Sequence, residues 1–265
     1  MSSRDDAADG RRSTRPSSGR VTVPERLAEL SSRYRLPAGA QDRLAVLLEL
    51  LAQPIAPTAV HEPSDAVDLH VADALAGLEL EQVRGAERIA DLGAGAGVPG
   101  LVLAAALPGA EVSLVEAVAR KGGFLERAVA AMELTNARVI VARAEGWTEG
   151  RDRQDLVTAR ALAELPVLVE YAAPLLAPGG ALVAWKGRRG PVEEADGAAA
   201  AAVTGLEACP PLSVTPFPGV EDRHLYLYLK LGDTPLRFPR RPGIARKRPI
   251  RASGRRLSYQ PYDGY

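Results

Sequence analysis

Five short apolar runs separated by stretches of helical periodicity constrain this chain more than any other feature. The runs span residues 88–92, 112–116, 138–142, 156–159 and 181–185, with amphipathic stretches at 124–132 and 165–176 among the segments between them. Strands spaced by a dozen or more residues with helical segments between them pair in parallel through crossovers. The expected class is therefore α/β, a Rossmann-like and mostly parallel sheet. Two later runs, 212–215 and 224–231, are joined by Pro216-Phe217-Pro218-Gly219 and about four more residues. That is too short for a crossover helix, so these two should pair antiparallel and close the sheet with an antiparallel last strand. The Ala-rich stretch 193–203 is a strong helix former and is expected on the surface.

Four segments follow along the chain. Residues 1–22 form a polar tail, and through residue 20 they lack the apolar surface needed to repay ordering. Residues 23–80 form a small N-terminal helical cap, in which Leu44, Leu47, Leu48 and Leu51 mark one helix before Pro54 and Pro57. A second helix is expected after Pro63, with Val67, Val71 and Leu75 on one face. Residues 81–235 hold the sheet, and 236–265 form a C-terminal arm. No apolar run reaches the ~20 residues that span a bilayer, and the N-terminus has no apolar h-region, so a cytoplasmic protein with no membrane partner is expected. Cys209 is the only cysteine and His61, His70 and His224 the only histidines, which argues against a disulfide framework and a metal centre. A monomer is expected.

The chemistry should centre on Asp91-Leu92-Gly93-Ala94-Gly95-Ala96-Gly97-Val98-Pro99-Gly100, at the end of the first strand. Glycines here let the backbone turn tightly and approach a ligand. Gly93, Gly95 and Gly97 fit a methyltransferase turn, whereas Gly95, Gly97 and Gly100 fit a dinucleotide fingerprint. Glu116, about 20 residues on, can accept from both hydroxyls of an adenosine ribose in either class. Asp91 and the antiparallel closing strand favour the first reading, a class I S-adenosylmethionine-dependent methyltransferase. Asp91 could hold the polar end of the cofactor directly or through the turn. The Arg143-Ala144-Glu145 segment is placed to line an adenine pocket.

Methyl transfer from a sulfonium is an in-line displacement that needs alignment and exclusion of water. The Pro-Pro-aromatic element of adenine-N6 enzymes is missing after the fourth strand, and Cys209 is remote from the cofactor turns. Guanine N7 carries a free lone pair and needs no general base. Arg160, at the end of the fourth strand, is the principal catalytic candidate, since strand C-termini line the ligand crevice in open α/β sheets. A salt bridge to Asp155 or Glu164 is the alternative use of its charge. Lys186 is expected to face the same crevice with Arg188 and Arg189 extending a basic rim, and His70 and Asp73 could reach over the cofactor from the cap.

Formal neutrality hides an uneven charge distribution. Residues 237–256 carry nine basic residues and no acid, leaving 24 Lys and Arg against 33 Asp and Glu elsewhere. A cationic arm on an acidic body reads as a polyanion contact. Arg240, Arg241, Arg246, Lys247 and Arg248 are the expected RNA contacts, and cofactor affinity is expected to be indifferent to them.

At this point the residues resemble the family of ribosomal RNA small subunit methyltransferase G, also called glucose-inhibited division protein B, over about residues 40–250. The carriers are the 91–100 turn, Lys121 with Phe124-Leu125, Arg143-Ala144-Glu145, Thr158-Ala159-Arg160-Ala161, Pro178-Gly179-Gly180, Lys186-Gly187, and the segment from Phe238 to Pro249. The resemblance implies cofactor contacts at Gly93, Val98, Ala144, Glu145 and Arg160. It also implies transfer to N7 of a guanine in 16S ribosomal RNA, free or in the small ribosomal subunit. The cap segment 53–59 departs from the family pattern, and the tail 252–265, with Tyr259, Tyr262 and Tyr265, extends beyond it. A methyltransferase acting on a small molecule or protein, and a non-catalytic RNA-binding protein on the same fold, are the rival readings.

Overall fold

The computed structural model describes residues 21–252. The expectations for residues 1–20 and for Tyr259, Tyr262 and Tyr265 lie outside the described residues.

The strands are β1 (Arg88–Leu92), β2 (Glu111–Glu116), β3 (Ala137–Val141), β4 (Gln154–Arg160), β5 (Leu176–Lys186), β6 (Leu206–Ala208), β7 (Leu212–Ser213) and β8 (His224–Lys230). They form one sheet in the order β3-β2-β1-β4-β5-β8-β6, with β7 also paired to β8. β1 to β5 run parallel, and β8 runs antiparallel to β5, β6 and β7. The order reverses beside β1, which opens a crevice between the C-terminal ends of β1 and β4. β6 was not expected: three residues, two of them exposed, carry too little pattern to announce a strand. It shares the outer edge of β8 with β7, and Pro210-Pro211, which offer no N–H, separate the two.

Side chains alternate between the two faces of the sheet. Ile89, Leu114, Leu156 and Val183 point into one core, and Ala90, Val115, Val157 and Leu182 into the other. Both faces are covered, which is why the strands read as apolar runs. The first core is closed by α6 (Gly100–Ala106), α7 (Ala119–Ala131) and the N-terminal helices; the second by α8 (Leu165–Ala172) and α9 (Pro191–Thr204). Helix α8 ends earlier than its apolar pattern suggested, ahead of Pro174, whose ring cannot continue a helix.

In the cap, α1 (Val23–Tyr34) starts at a capping box, with Thr22 N–H donating to Glu25 Oε2 at 2.8 Å. Helix α2 (Ala40–Leu51) buries Leu44, Leu47, Leu48 and Leu51, as its periodicity required. The expected helix after Pro63 is instead a chain of short pieces: α3 (Pro63–Ala66), a π-helical segment Val67–Ala72, α4 (Asp73–Leu75), a 3-10 turn Ala76–Glu79 and α5 (Glu81–Arg84). Wide π turns collect at functional sites, and this one carries His70 and delivers Asp73. Trp185, on β5, donates its indole N–H to the Asp73 carbonyl at 2.9 Å and joins the cap to the sheet.

Gly77 sits against that indole so closely that an added Cβ would lie 3.0 Å from Trp185 Cη2 and nearer still to a second ring atom. Gly77→Ala should therefore cost about 1–3 kcal/mol by overpacking. A denaturant midpoint unchanged from wild type would mean that the cap slides freely over β5.

Candidate active site

The exit from β1 is a left-handed turn. Gly93, Gly95 and Gly97 have φ values of 67°, 55° and 86°, a region that side chains with a Cβ rarely enter. Asp91 lies beneath the turn and is 1% exposed. Its Oδ2 accepts the Gly100 N–H at 2.9 Å and its Oδ1 accepts the Thr158 hydroxyl at 3.0 Å. It thus ties β1 to β4 and to the start of α6. Burial outweighs these two bonds and pushes its pKa up to about 7. Gly100 has no room for a side chain, since a Cβ would sit 2.7 Å from Asp91 Oδ2.

Glu116, at the end of β2, is buried and accepts the Gly95 N–H at 3.1 Å and the Val118 N–H at 2.8 Å. Its carboxylate lines a cleft of about 440 Å³ together with Gly93, Lys121, Ala144 and Glu145. The volume falls within the range of small-molecule sites. Sequence reasoning missed Val118, Leu162 and Tyr171 in the same wall. Leu162 had a signal, because it follows the Arg160-Ala161 strand end; its methyl occupies the space a Cβ on Gly93 would need, at 2.6 Å. Val118 and Tyr171 had none, since both read as ordinary apolar residues. Gly95, Gly97 and Val98 shape the turn and do not line the cleft.

Arg160 leaves β4 toward the cap. Its Nη1 donates to the Leu69 carbonyl at 2.8 Å and to Asp73 Oδ2 at 2.7 Å, and its Nη2 lies 2.8 Å from His70 Nδ1. Neither expected alternative holds it: Asp155 accepts backbone N–H groups of Glu87 and Arg88, and Glu164 pairs with Arg251. Asp73 is 1% exposed and also lies 2.8 Å from Arg223 Nε, as an ion pair without hydrogen-bond alignment. One buried carboxylate therefore faces two guanidinium groups. Since Arg160 can only donate, His70 Nδ1 is an acceptor, and Nε2–H donates to the Thr58 hydroxyl at 2.9 Å. The altered cap segment 53–59 thus supplies the partner of His70. Burial, then the Arg160 charge, push the His70 pKa down to about 4. The expected basic rim is internally paired: Lys186 with Glu193 at 2.6 Å, Arg188 with Asp222 at 3.6 Å and Arg189 with Glu194 at 2.6 Å.

The five cations expected to act alike on the arm differ in their surroundings. Arg240 is clamped to the buried Glu170, with Nε–Oε1 at 2.9 Å. Arg246 donates to the Leu162 carbonyl at 3.0 Å and lines the cleft. Arg241, Lys247 and Arg248 are exposed. Gly243 N–H donates to Glu145 Oε1 at 3.0 Å, so the carboxylate of Glu145 holds the arm.

A parallel sheet with a reversed strand beside β5, and a ligand cleft at its switch point, is the frame of class I S-adenosylmethionine-dependent methyltransferases. A solved structure described as a SAM dependent methyltransferase from Aquifex aeolicus shares this fold, with a TM-score of 0.51 and 13% identity over 69% of this chain and 96% of the other. A family model described as rRNA small subunit methyltransferase G matches residues 41–225. Relatives named ribosomal RNA small subunit methyltransferase G include those of Rubrobacter xylanophilus, 40% identical over 73% of this chain and 76% of its own length, and Chloroflexus aggregans, 42% identical over 73% and 82%. The chain belongs to the rRNA small subunit methyltransferase G family.

Three outcomes follow from this geometry. Glu116→Ala should weaken cofactor binding by about 1.5–3 kcal/mol, the range for hydrogen bonds to a charged group; a calorimetric change of only a few tenths would put the ribose elsewhere. Gly95→Val places a β-branched residue at φ 55° and shifts the N–H that holds Glu116, so binding should fall below detection while circular dichroism stays native-like. His70 refuses a proton in the folded state down to about pH 4, whereas the unfolded chain accepts one near 6.5. Its contribution to stability is full above 6.5 and is lost as pH falls between those values. His70→Gln should flatten that acid-side loss in denaturation curves, and an unaltered slope would show that His70 is already charged.

Proposed function

We propose that this protein is a cytoplasmic, monomeric, metal-independent enzyme that methylates N7 of a guanine in 16S ribosomal RNA. Family membership supports the reaction class and the RNA substrate. The observation that carries the N7 reading is the occupancy of the two acid-base groups that Arg160 touches, His70 and Asp73. His70 Nδ1 is taken up by the guanidinium, and Asp73 is shared between Arg160 and Arg223. Neither is free to accept a substrate proton, and a ring nitrogen with an exposed lone pair asks for none.

S-adenosylmethionine supplies an electrophilic methyl on a positively charged sulfur. The chain's own part is to hold and orient. Glu116 offers carboxylate oxygens to the ribose hydroxyls, and Gly93, held by the turn at the wall of the cleft, gives the cofactor backbone free of a side chain. Arg160 stands at the strand end beside the turn, where a guanidinium can face guanine O6 and the developing charge on the base. Arg241, Lys247 and Arg248 are read as phosphate contacts, while Arg240 anchors the arm that carries them.

Depleting the protein should remove one N7-methylguanosine from small-subunit ribosomal RNA, mapped by chemical cleavage at that base. A methylation pattern identical to wild type would sink the proposal. Replacing Arg241, Lys247 and Arg248 with Ala should lower the slope of log RNA affinity against log salt by about two units, at ~0.7 per phosphate contact. An unchanged slope would return the arm to a solvated tail.

A further inference from the structure

We propose that the C-terminal arm is a wall of the cofactor site and that Arg246 binds the adenine of S-adenosylmethionine, so that cofactor and RNA strengthen each other's binding. The inference rests on the cleft being the cofactor site. Charge alone assigned Arg246 to RNA together with its neighbours, yet the residue lines the same cleft as Glu116. Ala144, Glu145, Leu162 and Tyr171 line the cleft with it, and the segment after β3 is the one the sequence reading assigned to the adenine.

The arm is fixed there at three points. Arg240 pairs with Glu170, which is 1% exposed. Gly243 N–H donates to Glu145 Oε1 at 3.0 Å. Ala245, on α10 (Ile244–Lys247), is 2% exposed within the core under α8. These contacts hold the chain before Arg246, the Arg251–Glu164 pair at 3.0 Å holds it beyond, and the bond from Arg246 to the Leu162 carbonyl sets the position of the guanidinium. Such a plane can lie over a purine face, as delocalised cations do on π systems.

The same few residues carry two jobs. Arg241, Lys247 and Arg248 are exposed to a polyanion, and Arg246, between them and exposed as well, also lines the cleft. A cofactor that holds Arg246 orders the segment presenting those cations, and RNA that holds the cations keeps Arg246 over the adenine. By linkage the two affinities rise by one common factor. This departs from the expectation that cofactor affinity is indifferent to the arm.

The test uses the full chain and S-adenosylhomocysteine as the probe, without RNA. By calorimetry, Arg246→Ala should bind about fivefold or more weakly, and Arg246→Lys, which keeps the charge and loses the plane, should fall between that variant and wild type. Trypsin gives a reading free of any substitution: cleavage after Arg246 and Lys247 should slow several-fold at saturating S-adenosylhomocysteine. Wild-type affinity in Arg246→Ala, or cleavage that ignores the ligand, would overturn the inference while leaving the functional reading standing. A wild-type chain that binds no S-adenosylhomocysteine would bring down both.

Discussion

The crevice depends on one buried carboxylate. Asp91 is buried from bulk solvent, and its two oxygens are taken by the Gly100 amide and the Thr158 hydroxyl. These bonds fix where β1 ends, where α6 begins and how β4 lies beside them. Keeping an ionisable group at such a depth is costly unless its partners are well placed. The raised pKa measures how incompletely two hydrogen bonds replace water. The glycines of the turn are the complement of this arrangement: Gly100 makes room for the carboxylate, and Gly93 makes room for Leu162.

A second buried carboxylate joins the sheet to the cap. Asp73 receives Arg160 from β4 and Arg223 from the approach to β8, and its own carbonyl receives Trp185 from β5. Three elements that are distant in sequence meet on one residue of a short, irregular helix. Two cations against one anion leave a positive surplus around Asp73 itself.

The parallel strands were legible because doubly covered strands are mostly apolar along their length, and the runs at 88–92 and 112–116 lie within a residue of β1 and β2. β6 was not, because three residues on the outer edge owe their pairing to β8 rather than to any pattern of their own. Among the site residues, Gly93 and Glu116 could be found because their chemistry is local: a turn needs glycine, and a strand end presents one carboxylate. Arg160 stands at the end of β4 as its run implied, but its partners were sought nearby at Asp155 and Glu164, whereas they lie nearly 90 residues upstream in the cap. Spacing along a chain says little about contacts made by packing. The arm shows the same limit, since net charge does not distinguish a guanidinium clamped to Glu170 from one exposed to solvent.

The pair Pro210-Pro211 between β6 and β7 has a bearing on how the protein behaves in a crowded solution. On that side the sheet ends in two stubs of three and two residues rather than in one continuous rail. Where they break, two successive residues have no N–H to offer. A foreign strand seeking to add itself would find no run long enough to zip onto, so the rim of an eight-stranded sheet resists intermolecular growth here.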